Sequence, residues 1–457
     1  MKFVHRYSSH TDTIAAIATP VGEGGIAVIR ISGNRAIEIA GKLFSRDIRK
    51  VKSHTIHFGL VYDKNREKLD EALVLVMHAP RTFTGEETVE IQCHGGRLIA
   101  KKVLERVFEE GARAAKPGEF CFQAFMNGKI DLSQAEAIQS LIGAKNEYAL
   151  QVAQEQLDGA LSKKVSSLQS QLTRLAAMFE AWIDFPEEDL EFLSKEEAVA
   201  DLETVHKECS SLLKTFHQGK LIHEGFTMAL VGSPNVGKSA LMNALLQKDR
   251  AIVSPYAGTT RDIVEDDLYL NGLHFKILDT AGIHEGAEAI EKEGIKRSKK
   301  AIERADIILF VVDAETGHID ADIVGVLPKE KTLLIINKID LVENHALYDN
   351  SFSSCIETSA LCEKGIEELI QAIHEVISRK GLPEKGEIVI TKERHQSALE
   401  KAKNSVAVVI ESLQKEHSPE FLMMDIKEAL LELGTICGRD VNEDILDSLF
   451  SQFCIGK

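Results

Sequence analysis

The sequence predicts a multidomain chain: an α+β N-terminal domain, an all-α helical domain, and a Ras-like α/β P-loop domain inserted into the helical one. Three observations carry this. The apolar run Met228 to Val231 enters a loop of the form G-x-x-x-x-G-K-S, from Gly232 to Ser239. A helical pattern follows it, with Leu241, Ala244 and Leu245 on one face. Helical periodicity also fills residues 132 to 216 and returns from Glu393 to Phe453, on both sides of that loop. Insertion at a surface turn explains the split, because the ends of a domain often lie close together. The expected boundaries are 1–125, 126–224 for the first helical part, 225–379 for the insert, and 380–457 for the second helical part.

Composition sets the class. A chain of 457 residues, 44% hydrophobic and 27% charged, has the length for several cores and the balance of an ordinary globular protein. A net charge of −17 argues against nonspecific coating of nucleic acid. The basic run Lys296, Arg297, Lys299 and Lys300 reads as a solvated helix face. Seven cysteines without a C-x-x-C pair suit a reducing compartment. No signal peptide or membrane-length apolar run stands out, so the expected location is the cytoplasm, with no membrane partner.

Taken in order, residues 14 to 18 and 26 to 31 read as strands joined by the Pro/Gly-rich turn Thr19 to Gly25. Residues 72 to 77 and 88 to 92 read as further strands. Gly95-Gly96 opens a helix to about Glu110, with His94 a site residue or, as the preferred reading, a helix-start residue. Leu132, Ala135, Ile138, Leu141 and Ile142 form one apolar helix stripe, and Leu168, Leu172, Leu175 and Phe179 another. The acidic run Asp184 to Glu191, broken by Pro186, marks a turn between helices.

In the insert each motif has a physical job. Gly232 and Gly237 let the backbone curl its N–H groups toward phosphate oxygens, and the helix N-terminus adds positive potential. Lys238 reaches the outer phosphates and Ser239 ligates magnesium. Thr260, in Gly258-Thr-Thr-Arg-Asp262, is a candidate second magnesium ligand. Val264 to Leu270 and His274 to Leu278 form a hairpin about Asn271-Gly272. Asp279, Thr280, Ala281 and Gly282 follow, the aspartate holding magnesium through water and the Gly282 N–H sensing the last phosphate. Ile307 to Val312 and Thr332 to Ile336 are buried strands. The second ends in Asn337, Lys338, Ile339 and Asp340, where the aspartate accepts two hydrogen bonds from guanine and finds no such donor pair on adenine. Thr358, Ser359 and Ala360 close a short strand. Five signals in this order read as a GTPase, a hydrolase of GTP.

One expected group is missing. Ras-like GTPases place a water-orienting glutamine after Asp-Thr-Ala-Gly, and here that position is Ile283. Glu285, Glu288, Glu291 and Glu293 are nearby carboxylates. Asn235 offers a carbonyl oxygen for a monovalent cation or simply shapes the loop; spacing leaves both open.

The phosphate loop, Ala-Gly-Thr-Thr-Arg-Asp and Asp-Thr-Ala-Gly-Ile together resemble the bacterial Era-like GTPases. The flanks narrow this. Lys-Pro-Gly-Glu-Phe, Ala-Phe-Met-Asn-Gly-Lys-Ile-Asp-Leu, Gln-Ala-Glu-Ala-Ile, Ile183-Asp184-Phe185-Pro186 and the closing Phe-Cys-Ile-Gly-Lys resemble, over essentially the whole chain, the MnmE (TrmE) family of tRNA modification GTPases. The resemblance implies an N-terminal domain that binds formyl-tetrahydrofolate and forms a homodimer, with folate contacts on Arg30, Glu90, Lys129 and Lys457. It implies a partner, the FAD protein MnmG, and addition of an aminomethyl-type group to the wobble uridine of certain tRNAs. It maps a potassium site onto Asn235, Ser254, Tyr256 and Thr259, and the catalytic glutamate onto Glu291, with Lys238. Nucleotide contacts fall on Asn235, Val236, Gly237, Lys238, Ser239 and Ala240, on Ser254, Thr259 and Thr260, on Asp279 to Gly282, on Asn337, Lys338 and Asp340, and on Ser359 and Ala360. Cys454 is the family's C-terminal cysteine, a candidate for a modification role; a buried helix-end thiol fits the residue equally well. Gln123 stands where the family has arginine, Ala240 where it has a second hydroxyl, and Leu361 where related GTPases have lysine. A regulatory GTPase of ribosome assembly is the rival reading. A separate RNA-binding domain after the insert would favour it, whereas the acidic-to-neutral helical tail ending in Cys-Ile-Gly-Lys favours modification.

Overall fold

The computed structural model describes residues 12–20, 22–184, 194–248, 267–279, 301–317, 321–342, 352, 354–384, 386–415, 417–439 and 441–456. They gather into two compact units. The first holds residues 1–139, 156–209 and 398–457, and the second 140–155 and 210–397.

The first unit opens with β1 (Ile14–Ile17), β2 (Ile26–Ser32), α1 (Ala36–Leu43), β3 (Thr55–Tyr62), β4 (Lys68–Met77), β5 (Thr88–His94), α2 (Arg97–Glu109) and β6 (Arg113–Ala114). Among the described residues these strands form one sheet in the order β3-β4-β5-β2-β1-β6, antiparallel except β1 with β6. The period of two sends Ile29, Ile31, Val74, Val76, Val89 and Ile91 to the face covered by Ile39 and Leu43 of α1 and Val103 and Val107 of α2. The alternate positions look the other way, and Ile26, Ile56 and Phe58 stay exposed there.

Two readings change here. His94 ends β5 rather than starting a helix, and its Nδ1 lies 2.7 Å from Asp70 Oδ1. β3 was missed because Ile56, Phe58 and Leu60 are apolar on the open face, which hides the alternation. Further along, α3 (Glu119–Met126) follows Gly118, whose φ of 70° is left-handed and whose Cβ would strike the Phe450 carbonyl. Glu119 is 3% exposed. It accepts from Arg113 Nη2 at 2.5 Å and from the Lys116 N–H at 2.8 Å, so the Lys-Pro-Gly-Glu motif folds as a turn pinned to β6.

The helices continue as α4 (Leu132–Ile142), α5 (Glu147–Leu157), α6 (Ala160–Asp184) and α7 (Lys195–Glu224). Ile142, read as core, is 48% exposed, because it lies past the last buried turn of α4. α7 runs eight residues beyond the expected Phe216 since Ile222, 1% exposed, keeps the apolar period going.

In the second unit come β7 (Phe226–Val231), α8 (Lys238–Lys248), β8 (Asp267–Leu270), β9 (Leu273–Asp279), β10 (Ile307–Asp313), β11 (Thr332–Asn337), β12 (Ser354–Glu357) and α9 (Ile366–Ser378). The sheet order is β12-β11-β10-β7-β9-β8, parallel except the hairpin of β8 and β9. Every residue of β10 and β11 is buried, as strands covered on both faces require. Asn271 and Gly272 both take positive φ, the demand of a tight type I′ hairpin turn. This is the Ras-like α/β fold.

Three helices close the chain: α10 (Glu393–Gln414), α11 (Pro419–Cys437) and α12 (Glu443–Phe450). α6 buries Leu161, Val165, Leu168, Leu172, Leu175 and Phe179, and it packs along α11. No described helix is long and apolar enough to cross a membrane.

Candidate nucleotide site and N-terminal cluster

β7 is central in its sheet, between β9 and β10, and ends at Val231. The chain then turns through Gly232, φ 152°, where a Cβ would strike the Val311 carbonyl. Asn235 takes φ 63° and is exposed at the loop's crest. Val236 is 5% exposed and anchors the loop in the core with Leu241 and Leu245. Lys238 Nζ donates to the Gly232 and Ser233 carbonyls, each at 2.8 Å, so the amine lies across the loop it would share with phosphate. Ser239 and Ala240 are exposed in the first turn of α8.

Asn337 joins this loop to the base-recognition segment. It is 1% exposed; its Nδ2 donates to the Val236 carbonyl at 3.0 Å. Its Oδ1 accepts from the Ala360 N–H at 3.1 Å and from Thr358 Oγ1 at 3.2 Å. Ser359 is fully buried, and its Oγ accepts from the Cys362 N–H at 3.1 Å. Asp340, three residues after Asn337, is exposed, and Leu361 is 85% exposed. Sequence reasoning missed Asp313. It lies opposite Asn337 in the β10–β11 register and receives Lys338 Nζ at 2.7 Å. Burial alone would push the Asp313 carboxyl up; Lys338 and the Glu315 N–H outweigh it and hold it below the usual carboxylate range. The only sequence signal for it was an aspartate at the end of an apolar strand.

Asp279 ends β9, opposite Leu230 in register, one strand from the loop. A serine hydroxyl and a strand-end aspartate are hard oxygen donors that suit magnesium. The side chain of Asp279, and Ser254, Tyr256, Thr259, Thr260, Thr280, Ala281, Gly282, Ile283, Glu285, Glu288, Glu291, Glu293, Lys457 and the run Lys296 to Lys300, lie outside the described residues.

In the first unit Arg30 and Glu90 face each other across β2 and β5, with Arg30 Nη2 2.8 Å from Glu90 Oε1. Arg30 Nη1 donates to the Gly456 carbonyl at 3.2 Å, and its guanidinium lies over the rings of Phe83 and Phe120. So the chain's last described residue reaches the second strand. The guanidinium is engaged with Glu90, not left open. Lys129 Nζ donates to the Pro80 carbonyl at 3.0 Å, on the loop that carries Phe83. Of the two rings Phe83 is partly exposed and Phe120 is fully buried, so Phe83 is the ring that can face a ligand beside the pair. Cys454 is exposed, which removes the buried-thiol reading; its carbonyl accepts from the Gly118 N–H at 3.3 Å. Gln123, at the family's arginine position, keeps its Oε1 buried without a hydrogen-bond partner among the described residues.

Fold and loop define a P-loop nucleotide-binding protein with a guanine-type base segment. Two protein families match it, one described as "GTP-binding protein TrmE N-terminus" over residues 13–129 and one as "MnmE helical domain" over 132–454. The tRNA modification GTPase MnmE of Protochlamydia amoebophila is 53% identical over 100% of both chains. That of Carboxydothermus hydrogenoformans is 42% identical over 98% of this chain and 99% of its own. Among solved structures, the FeoB G-domain from Methanococcus jannaschii is 27% identical, with TM-score 0.26, covering 34% of this chain and 98% of that one. The chain belongs to the MnmE family.

Proposed function

We propose that this chain hydrolyses GTP and, with an FAD-containing MnmG partner, uses a folate one-carbon donor to add an aminomethyl-type group to carbon 5 of the wobble uridine of certain tRNAs. Family membership at 53% identity over the full length supports tRNA modification as the setting. The observation that carries the GTPase reading is Asn337, whose one side chain ties the phosphate loop at Val236 to the base segment at Ala360. Nucleotide binding at one end is thereby coupled to order at the other. Lys238 exchanges its two carbonyl partners for phosphate oxygens, Ser239 turns its hydroxyl to magnesium, and Asp340 takes the guanine donors. When bound, magnesium neutralises the charge developing on the phosphates.

The missing glutamine at Ile283 leads to potassium. Asn235 holds its side chain at the exposed crest of the loop, a position from which a carbonyl oxygen serves a cation beside the phosphates. Ser254, Tyr256 and Thr259 complete that site on this reading, and Glu291 positions the water. The apolar face bearing Ile26, Ile56 and Phe58 supports pairing of two N-terminal domains in a homodimer. Arg30 and Glu90 support the folate site.

Two measurements decide the reading. Mass spectrometry of tRNA from cells lacking the chain is expected to show unmodified wobble uridine; full modification there ends the tRNA assignment. GTP turnover is expected to fall by powers of ten when sodium replaces potassium, and equal turnover in both salts ends the cation mechanism.

A further inference from the structure

We propose that the second unit carries an RNA phosphate-backbone site at the opposite end of its sheet from the nucleotide loop; this rests on the reading that the chain acts on tRNA. A cleft of about 740 Å³ is lined there by Lys329, Lys331, Arg379, Lys380, Glu330 and Phe352, among others. Its lining carries four cations and the Glu330 carboxylate, with Asp306 paired to Lys380 and Glu375 near Arg379, so positive groups still outnumber negative ones there on a chain whose net charge is −17. RNA is repelled by such a chain except where the local sign reverses, so a basic cleft is where a phosphate backbone makes contact.

Placement follows from the strands. Lys329 and Lys331 immediately precede β11, and Lys380 is bonded to Asp306, which immediately precedes β10. β7, β10 and β11 are parallel, and the phosphate loop follows the far end of β7. Seven strand residues separate the two ends, ~20 Å at ~3.3 Å per residue. The cleft is therefore distinct from the nucleotide site.

The amines are fixed mainly by dipoles rather than by opposite charges. Lys331 Nζ donates to the Ile302 carbonyl at 3.0 Å and the Ala305 carbonyl at 2.6 Å. Lys380 Nζ donates to the Asp306 carbonyl at 2.8 Å, with the Asp306 carboxylate at 3.3 Å. Burial first, and then the nearby Lys380 charge, hold the Lys331 ammonium below the usual lysine range, against the opposing pull of the Asp306 carboxylate. Arg379 and Lys329 are exposed at the rim, and Arg379 lies at a long 3.9 Å from exposed Glu375. A guanidinium so placed can fork onto a phosphate. The Phe352 ring, half-buried against Phe310 at 6.0 Å between centroids, gives a base a surface to stack on.

The experiment is fluorescence anisotropy of a labelled, unmodified tRNA transcript titrated with the full chain. Wild type is compared with Lys329→Glu/Arg379→Glu and with a charge-reversal control in the first unit, Lys101→Glu/Lys427→Glu. The double rim variant is expected to lose about tenfold or more in affinity and about 2 in the slope of log K against log salt, with the control unchanged. GTP affinity is expected to be the same in all three, which shows the variants are folded. The proposal is overturned if the rim variant binds like wild type or if the control loses as much. It is also overturned if polyglutamate of matched charge displaces the tRNA as well as competing RNA does, or if millimolar inorganic phosphate alone does so. The parent reading fails separately, through modified wobble uridine persisting in cells that lack the chain.

Discussion

The Asn337 amide donates to the Val236 carbonyl at 3.0 Å, and a Cβ on Gly237 would collide with that same amide nitrogen. The glycine in the phosphate loop is thus required by the asparagine of the base segment as much as by phosphate. Asn337→Ala strands the Val236 carbonyl and the Ala360 N–H in a buried setting. Expected losses are on the order of 2 kcal/mol in stability and at least about tenfold in GTP affinity. Gly237→Ala pushes the amide away and is expected to act in the same direction. Chemical denaturation and calorimetric titration read the two effects; wild-type values for both variants refute the coupling.

On the proposed reading Asp340 carries guanine choice; the structure leaves its carboxylate exposed, three residues after Asn337. Asp340→Asn replaces a charged acceptor by a neutral one. GTP affinity is expected to fall by about 2 kcal/mol, with thermal stability of the nucleotide-free chain unchanged because the group is exposed. Unchanged affinity in the titration removes Asp340 from the site.

These two residues were legible in the sequence because the apolar strand Thr332–Asn337 runs directly into the tetrapeptide Asn337 to Asp340. Lys338 was legible as a motif member, yet its partner Asp313 was not. Parallel neighbours in register are joined through an intervening crossover, and no local period links them. The same limit is sharper in the first unit. Arg30 meets a carbonyl 426 positions away, a contact no periodicity announces; only the resemblance pointed to that residue. His94 misled because two glycines after it looked like a helix start, whereas Asp70 fixes both its ring and its N–H at the end of a strand.

Glu90→Gln tests whether Arg30 is held for a ligand. The pair is about one-sixth exposed on each side, and removing the charge leaves Arg30 facing two rings and one carbonyl. A stability loss of about 1–2 kcal/mol is expected. If the cluster is the folate site, saturable binding of formyl-tetrahydrofolate to the full chain disappears in both Glu90→Gln and Arg30→Ala. Retention of tight binding in both variants places the folate elsewhere.

Glu119 offers a structural contrast in the same unit. Its carboxylate is buried, and Arg113 and the Lys116 N–H are its partners. Glu119→Ala leaves the guanidinium without its nearest counter-charge, and Arg113 is one-third exposed, so a cost of about 2–3 kcal/mol is expected. Urea unfolding of the full chain measures it. A change below about 0.5 kcal/mol shows that the turn holds without the pair.

His274 sets a pH dependence in the second unit. The ring is fully buried, with Nε2 2.8 Å from Asp267 Oδ1 and Nδ1 without a partner among the described residues. Gly225, φ 91°, fits against Nδ1 because it has no Cβ. Burial is the largest effect and pulls the imidazole below its usual 6.5; Asp267 pulls the other way, and Lys145 and Lys276 add to the lowering. The folded value is depressed, so the neutral ring is the one the fold accepts. Its contribution is complete above the unfolded value of about 6.5 and is lost as pH falls toward the folded value. Thermal stability of the nucleotide-free chain is therefore expected to drop from pH 7.5 to pH 5.5. His274→Gln removes the titration, so its melting temperature, though lower at pH 7.5, is expected to change less over that window. Parallel curves for the two proteins would show that the acid sensitivity arises at other groups and that the buried ring accepts its proton without cost.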